Sequence, residues 1–280
     1  MTLMRIAAPD FDLEKTLDSG QVFHWEKHRG GFVGAIGEVA VYAEQRGRQL
    51  FVAGLRAAVA ARYFALDHGL PEICRAFPDD TAMNAARDFC AGLRIIRQPP
   101  WECLATFICS SMKQVAHIRQ MSRALRERFG PRSMLDGTHV YVFPSPDRLA
   151  RATEEALREC GLGYRAKNLL ATAQRVASGE ADLQRWTELG DEELRSRLCE
   201  LPGVGPKIAN CVMLFGYERL RAFPIDVWIE RVLKEKYFAR RRRVTAQQLR
   251  EFCDSYFGEQ GGYAQQYLFH HARKTSGRGQ

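Results

Sequence analysis

The chain has 280 residues, a hydrophobic fraction of 46% and a formal net charge of +8, from 41 basic and 33 acidic side chains. That length buries a substantial core in one large or two modest domains, and that hydrophobic fraction excludes general disorder. The basic balance favours a polyanionic partner without choosing between DNA, RNA and a membrane surface; no 18-residue apolar run could span a bilayer, and no signal peptide is visible at the N-terminus.

The first third reads as strands. Segments 21–25, 31–36, 39–44 and 49–52 are short, β-branched or aromatic, and punctuated by Gly30, Gly31, Gly37 and Gly47. A helix is predicted over 57–66. Gln98-Pro99-Pro100 marks a boundary. From Trp101 onward the pattern is helical almost to the end: Val115, Ile118, Met121, Leu125 and Phe129 keep helical spacing. Helices over 169–177, 191–200, 207–215, 227–238, 246–257 and 263–273 continue it. The expected fold is therefore α+β, an antiparallel sheet domain over 1–98 followed by a mostly helical domain over 99–280. Cys74, Cys90, Cys103, Cys109, Cys160, Cys199, Cys211 and Cys253 contain no C-x-x-C pair, so neither a metal site nor a disulfide framework is predicted. Several sit in apolar helical patterns, as small hydrophobes do, which suits a reducing compartment.

Segment 198–228, LCELPGVGPKIANCVMLFGYERLRAFPIDVW, carries the most chemistry. Pro202, Gly203 and Gly205 break a helix, and a second one restarts at Lys207. Such a hairpin leaves backbone N–H groups free at the second helix, where they and the positive helix end suit a phosphate oxygen. Lys207 stands at that helix start, where the dipole and burial favour the neutral, nucleophilic amine. Asp226 lies 19 residues further on, after Pro224, and can cap the next helix while aiming a carboxylate at the same place. Taken singly, these features have plainer readings. A hairpin can be a non-catalytic DNA-binding element, a helical lysine is ordinarily solvated, and an aspartate before a helix is ordinarily a cap. The combination is far more specific than its parts. Four arginines at 240–243 read either as a solvated loop or as phosphate contacts.

The segment resembles the helix-hairpin-helix signature of base-excision DNA glycosylases, with its Gly-Pro-Asp extension. Four other segments narrow the resemblance to the 8-oxoguanine DNA glycosylase branch: DSGQVFHW at 18–25, WECLATFICSS at 101–111, GLGYRA at 161–166 and YAQQYLF at 263–269. The resemblance implies that Lys207 attacks C1′ of the damaged nucleotide and that Asp226 completes the chemistry. It further implies a lesion pocket in which the Gly20 carbonyl accepts from N7–H of the base, Gln265 reads its Watson–Crick edge, and Phe269 and Cys211 sandwich it. Met112 and Tyr164 would fill the vacated stack, Arg165 and His117 would face the orphaned base, and Gly203 and Gly205 would hold phosphate. The chain departs from the family at Met112-Lys113-Gln114, where many relatives have three asparagines. It departs also at His117, where an arginine is frequent, and at Trp228, where a histidine is frequent.

These residues imply an enzyme that excises 8-oxoguanine and cleaves the abasic site. The alternatives are a glycosylase for another damaged base, such as an alkylated purine, and a non-catalytic hairpin module. The relatives that act on alkylated bases typically lack the lysine. No cofactor or metal is expected; the four-cysteine iron–sulfur cluster of some superfamily members cannot form with only Cys253 beyond Cys211. The expected partner is duplex DNA carrying oxidised guanine and not a membrane, met by a monomer in a cytoplasm, at a bacterial nucleoid rather than in a nucleus.

Overall fold

A computed structural model describes residues 2–111, 113–239, 241 and 243–276. Strands β1 (Met4–Ala7), β2 (Glu26–His28), β3 (Gly31–Ile36), β4 (Val39–Arg46) and β5 (Gln49–Ala53) form an antiparallel sheet of order β1-β5-β4-β3-β2. The register runs Phe32↔Ala43 between β3 and β4, and Met4↔Val52 between β1 and β5. One face buries Val41, Ala43, Leu50 and Val52 against α1 (Leu13–Asp18) and α2 (Ala57–Tyr63).

Two sequence expectations fail in this region. Segment 21–25 is not a strand; the strand begins at Glu26. Gln21 is fully buried, and its amide bonds Thr16 O, Ser19 Oγ (2.9 Å), Arg94 O (2.8 Å) and Ile96 N (2.7 Å). Side-chain bonding replaces a ladder there. The apolar residues that follow diverge, Val22 and Trp25 into the sheet's core and Phe23 into the helical one. The second miss is α3 (Leu70–Arg75) and α4 (Thr81–Phe89), for which no helix was predicted. Both pack into the helical core, with Leu70, Ile73, Met83 and Ala86 buried.

The helical part comprises α5 (Pro100–Cys109), α6 (Val115–Phe129), α7 (Pro146–Ala150), α8 (Glu154–Leu157), α9 (Arg165–Ala177), α10 (Asp191–Cys199), α11 (Pro206–Gly216), α12 (Val227–Val232), α13 (Ala246–Phe257) and α14 (Gly261–Thr275). A hairpin interrupts it, β6 (Arg132–Leu135) and β7 (Thr138–Tyr141), where uninterrupted helix was expected. Its two-residue turn is Asp136-Gly137, both at positive φ, a mirror-type turn that matches strand twist. Val140 and Val142 cover Ala35 and Ala40 on the sheet's other face. Buried Glu102 on α5 lies 3.1 Å from His24 Nδ1 and also pairs with Arg126 on α6, while His24 Nε2 donates to Ala35 O (2.8 Å). The sheet is thus tied to the helices behind the site.

Candidate active site

The hairpin between α10 and α11 is set by α9. Thr172 Oγ1 donates to Pro202 O (3.0 Å), Arg175 donates to Glu200 O (3.1 Å), and Val204 N bonds Leu201 O (3.1 Å). Gly203 has φ +81, and a Cβ there would lie 2.8 Å from Asn168 Cβ. Backbone sign and space both require glycine. Gly203→Ala should therefore destabilise the fold by about 1–3 kcal/mol, read as a lowered melting temperature. Gly205 is extended and open, with nothing within 4 Å of a Cβ. It caps α11 without a side chain, and Pro206 follows at the first helical position, where its missing N–H is not needed.

Lys207 sits in that first turn, half-buried rather than enclosed. Its Nζ donates to Ser110 Oγ (3.2 Å) and lies 5.5 Å from the centre of the Phe107 ring. Phe107 is itself fixed, stacked on Phe215 at 5.5 Å and met edge-on by Phe23 at 5.7 Å. Ser110 and Phe107 were not singled out from sequence. Phe107 lies on α5 and Ser110 caps its C-terminus; Ser110 meets a lysine 97 positions away, so only the tertiary fold reveals the contact.

Asp226 caps α12, accepting from Trp228 N (3.1 Å) and Ile229 N (2.9 Å). The turn before it is held to α11 by Asn210, which donates to Phe223 O (3.4 Å), and to α13 by Phe223 stacked on Phe257 at 4.9 Å. Burial pushes its carboxyl above the usual carboxylate range; the two N–H donors and the charge of Lys207 oppose that shift. Cys211, one turn beyond Lys207, is buried, and burial pushes its thiol up to about 11, so it stays neutral and nonpolar in use.

Gly20 follows α1 at φ +85, and a Cβ there would lie 3.0 Å from Phe269 Cε1 and 3.4 Å from Val115 Cγ2. Gln265 and Phe269 are four apart on α14, on one face of the helix. Gln265 is 4% exposed and its Oε1 is buried without a hydrogen-bond partner. An unsatisfied buried acceptor is costly and points to a donor that arrives with a ligand. Cys211 and Phe269 belong to the same apolar cluster. The structure therefore gathers Lys207, Asp226 and Cys211 on and around α11, and Gly20 with Phe269 across a second junction.

Among the expected DNA contacts, Tyr164 is 60% exposed at the start of α9, and His117 is exposed in the first turn of α6. Met112 lies outside the described residues, as do Arg240 and Arg242 of the arginine run. Arg165 is buried. It is only 4% exposed, its guanidinium donating to Ser111 O (2.9 Å from Nε) and Leu162 O (3.3 Å) and lying over the Tyr164 ring at 4.3 Å. It braces the chain between the end of α5 and the start of α9, where two carbonyls at helix ends offer what water would otherwise supply. A cavity of about 530 Å3, not foreseen from sequence, opens beside Trp228 between α4, α12, α13 and α14. Among the described residues no group of three or more His, Cys, Asp or Glu side chains could hold a metal ion, and no helix is long and apolar enough to cross a membrane.

An antiparallel sheet followed by a helical part, with a helical hairpin, a half-buried lysine at its second helix and a capping aspartate, is the arrangement of the helix-hairpin-helix glycosylase class. The pattern of the HhH-GPD superfamily base excision DNA repair proteins matches residues 105–256, and that of the 8-oxoguanine DNA glycosylase N-terminal domain matches residues 3–104. The chain belongs to the 8-oxoguanine DNA glycosylase family within that superfamily and is by class a DNA N-glycosylase with lyase activity. It is 30% identical to the "Probable N-glycosylase/DNA lyase" of Methanothermobacter thermautotrophicus, over 97% of this chain and 96% of that one. It is 29% identical to the N-glycosylase/DNA lyase OGG1 of Arabidopsis thaliana, over 95% and 78%. Among solved structures, the Clostridium acetobutylicum 8-oxoguanine glycosylase/lyase, in complex with dsDNA containing cytosine opposite to 8-oxoG, superposes with a TM-score of 0.91 at 32% identity, covering 98% of each chain. The 3-methyladenine DNA glycosylase of Archaeoglobus fulgidus, at 23% identity and a TM-score of 0.82, shares the fold.

Proposed function

We propose that this enzyme excises 8-oxoguanine from duplex DNA and then cuts the strand by β-elimination. The duplex is bent and the lesion nucleotide turned out of the stack, with Tyr164 entering the gap. The Lys207 amine attacks C1′, the C1′–N9 bond breaks, and the base leaves with a proton. The sugar ring then opens: the C1′–O4′ bond breaks, O4′ takes up a proton, and the amine nitrogen is left double-bonded to C1′ as a protonated Schiff base. Loss of a 2′ proton drives out the 3′ phosphate, and water later releases the lysine. Asp226 stabilises positive charge developing on the sugar and helps to move protons. The base itself is told from guanine by one proton, N7–H, offered to the Gly20 carbonyl. Guanine would bring a lone pair there, and a mismatched buried acceptor is costly.

The observation that carries the reading is the lysine held by Ser110 and Phe107 at the hairpin helix, with its charge felt at Asp226. An alkylated-base glycosylase would have no use for that amine. The test is single-turnover excision from duplexes placing each of the four bases opposite 8-oxoguanine. Met112 offers only a weak acceptor, His117 stands where relatives carry arginine, and Arg165 is occupied. Cytosine should therefore be preferred over the other three by no more than about a hundredfold, the discrimination that one good bidentate contact of ~3 kcal/mol supplies. Absence of excision from all four refutes the substrate; a preference above about a thousandfold would show that another residue reads the orphaned base. We place the enzyme in a bacterial-type cytoplasm, acting as a monomer.

A further inference from the structure

Asp18 is the last residue of α1, immediately before the turn that carries Gly20. An acidic side chain at a helix C-terminus faces the negative end of the helix dipole and is unfavourable there on its own. Here three cations from two other elements surround it. Arg119 on α6 donates to Asp18 Oδ1 (3.0 Å), and Lys274 on α14 pairs with Oδ2. Arg273 on α14 donates to the Asp18 backbone carbonyl and lies 3.9 Å from Oδ2. Burial opposes the charged form, but these partners hold its carboxyl below the usual range. One residue further on, Gln266 donates to Ser19 O (2.9 Å).

The cations are not scattered over the surface. Arg273 lies one turn beyond Phe269 and two beyond Gln265, on the same stripe of α14. Its guanidinium carbon is 5.8 Å from the centre of the Phe269 ring, the ring that faces Gly20. Arg119 is one turn beyond Val115, the other neighbour of Gly20. Both walls against Gly20, the α14 stripe through Phe269 and the α6 stripe through Val115, therefore continue into a side chain that grips Asp18.

We propose that Asp18 is a positioning residue for base recognition: it clamps the Gly20 turn to α14 and α6, so that the Gly20 carbonyl, Gln265 and Phe269 keep the spacing that selects the lesion base. The inference rests on the substrate reading above. It touches no reacting atom, and Lys207 is anchored elsewhere, on Ser110 and Phe107. Base excision should accordingly depend on the clamp, whereas cleavage of an abasic site, which has no base to recognise, should not.

The test is Asp18→Asn, which keeps shape and removes charge, assayed on two substrates: an 8-oxoguanine duplex and a duplex with a preformed abasic site. Excision should fall about tenfold or more, the size expected on losing hydrogen bonds to a charged group, while abasic-site cleavage stays within about twofold of wild type. Asp18→Glu, which restores the charge at greater reach, should recover part of the excision rate. Equal loss on both substrates, or loss on neither, overturns the clamp. Excision lost in Asp18→Asn with no recovery in Asp18→Glu and an unchanged melting temperature supports a role of geometry as well as charge. A wild-type enzyme that cuts abasic sites but releases no 8-oxoguanine overturns the substrate reading, and this proposal with it.

Discussion

Lys207→Gln is expected to abolish covalent trapping of the protein on an 8-oxoguanine duplex by borohydride, and to lower the rate of strand cleavage by roughly 10⁴ or more, as removal of a covalent nucleophile does elsewhere. Glutamine is one atom shorter than lysine and uncharged, but keeps an unbranched stem and a similar helix preference. Lys207 is half-buried and its structural partners are a single hydroxyl and a ring face, so the fold should tolerate the change. Binding to the duplex should persist, since the attraction of a chain with 41 basic side chains to phosphate is spread over many charges. The informative comparison is trapping against gel-shift affinity in one preparation. Undiminished trapping by the variant would assign the Schiff base to another amine.

The arrangement behind that expectation was partly legible before any coordinates. The hairpin glycines, Lys207 and the Pro-Ile-Asp turn are local features, each with a local physical reason. The fold confirms their geometry: Gly203 is forced by its positive φ and by Asn168, and Asp226 caps α12. Strands β3, β4 and β5 were equally readable, because turns separate short β-branched runs. What escaped was decided by distant partners. Segment 21–25 has strand composition, yet the buried Gln21 amide takes the hydrogen bonds a neighbouring strand would have supplied. The Asp136-Gly137 hairpin did carry its usual two-residue signal and was overlooked inside a helical stretch. The bonds of Arg165 to Ser111 and Leu162 likewise depend on tertiary packing and left no mark in the local sequence. Ser110 and Phe107 meet Lys207 only because α5 packs along α11.

Asp226→Asn is expected to separate catalysis from stability. A preorganised charge aimed at a developing cation in a sheltered site is worth about 10²–10³ in rate, so base release should slow by that factor. The fold should not suffer. Asparagine is as good an N-cap as aspartate, and its side-chain oxygen can accept from Trp228 and Ile229 as the carboxylate does. Stability should shift the other way. Burial raises the Asp226 carboxyl in the folded protein above its unfolded value, with the helix N–H groups and Lys207 opposing incompletely. The folded state therefore holds that proton more tightly than the unfolded state does. As pH rises from below the unfolded value through the raised folded one, this group costs stability, and at neutral pH the full cost is present. The asparagine variant carries no such cost. Its melting temperature at pH 7 should equal or exceed that of the wild type, and the difference should shrink on acidification. The wild-type rate should fall as Asp226 takes up its proton, and the variant's residual rate should lack that limb. Thermal melts and single-turnover rates across the acid range decide both points. A variant that melts lower at neutral pH and excises at the wild-type rate would reduce Asp226 to a helix cap and leave the sugar cation to another group.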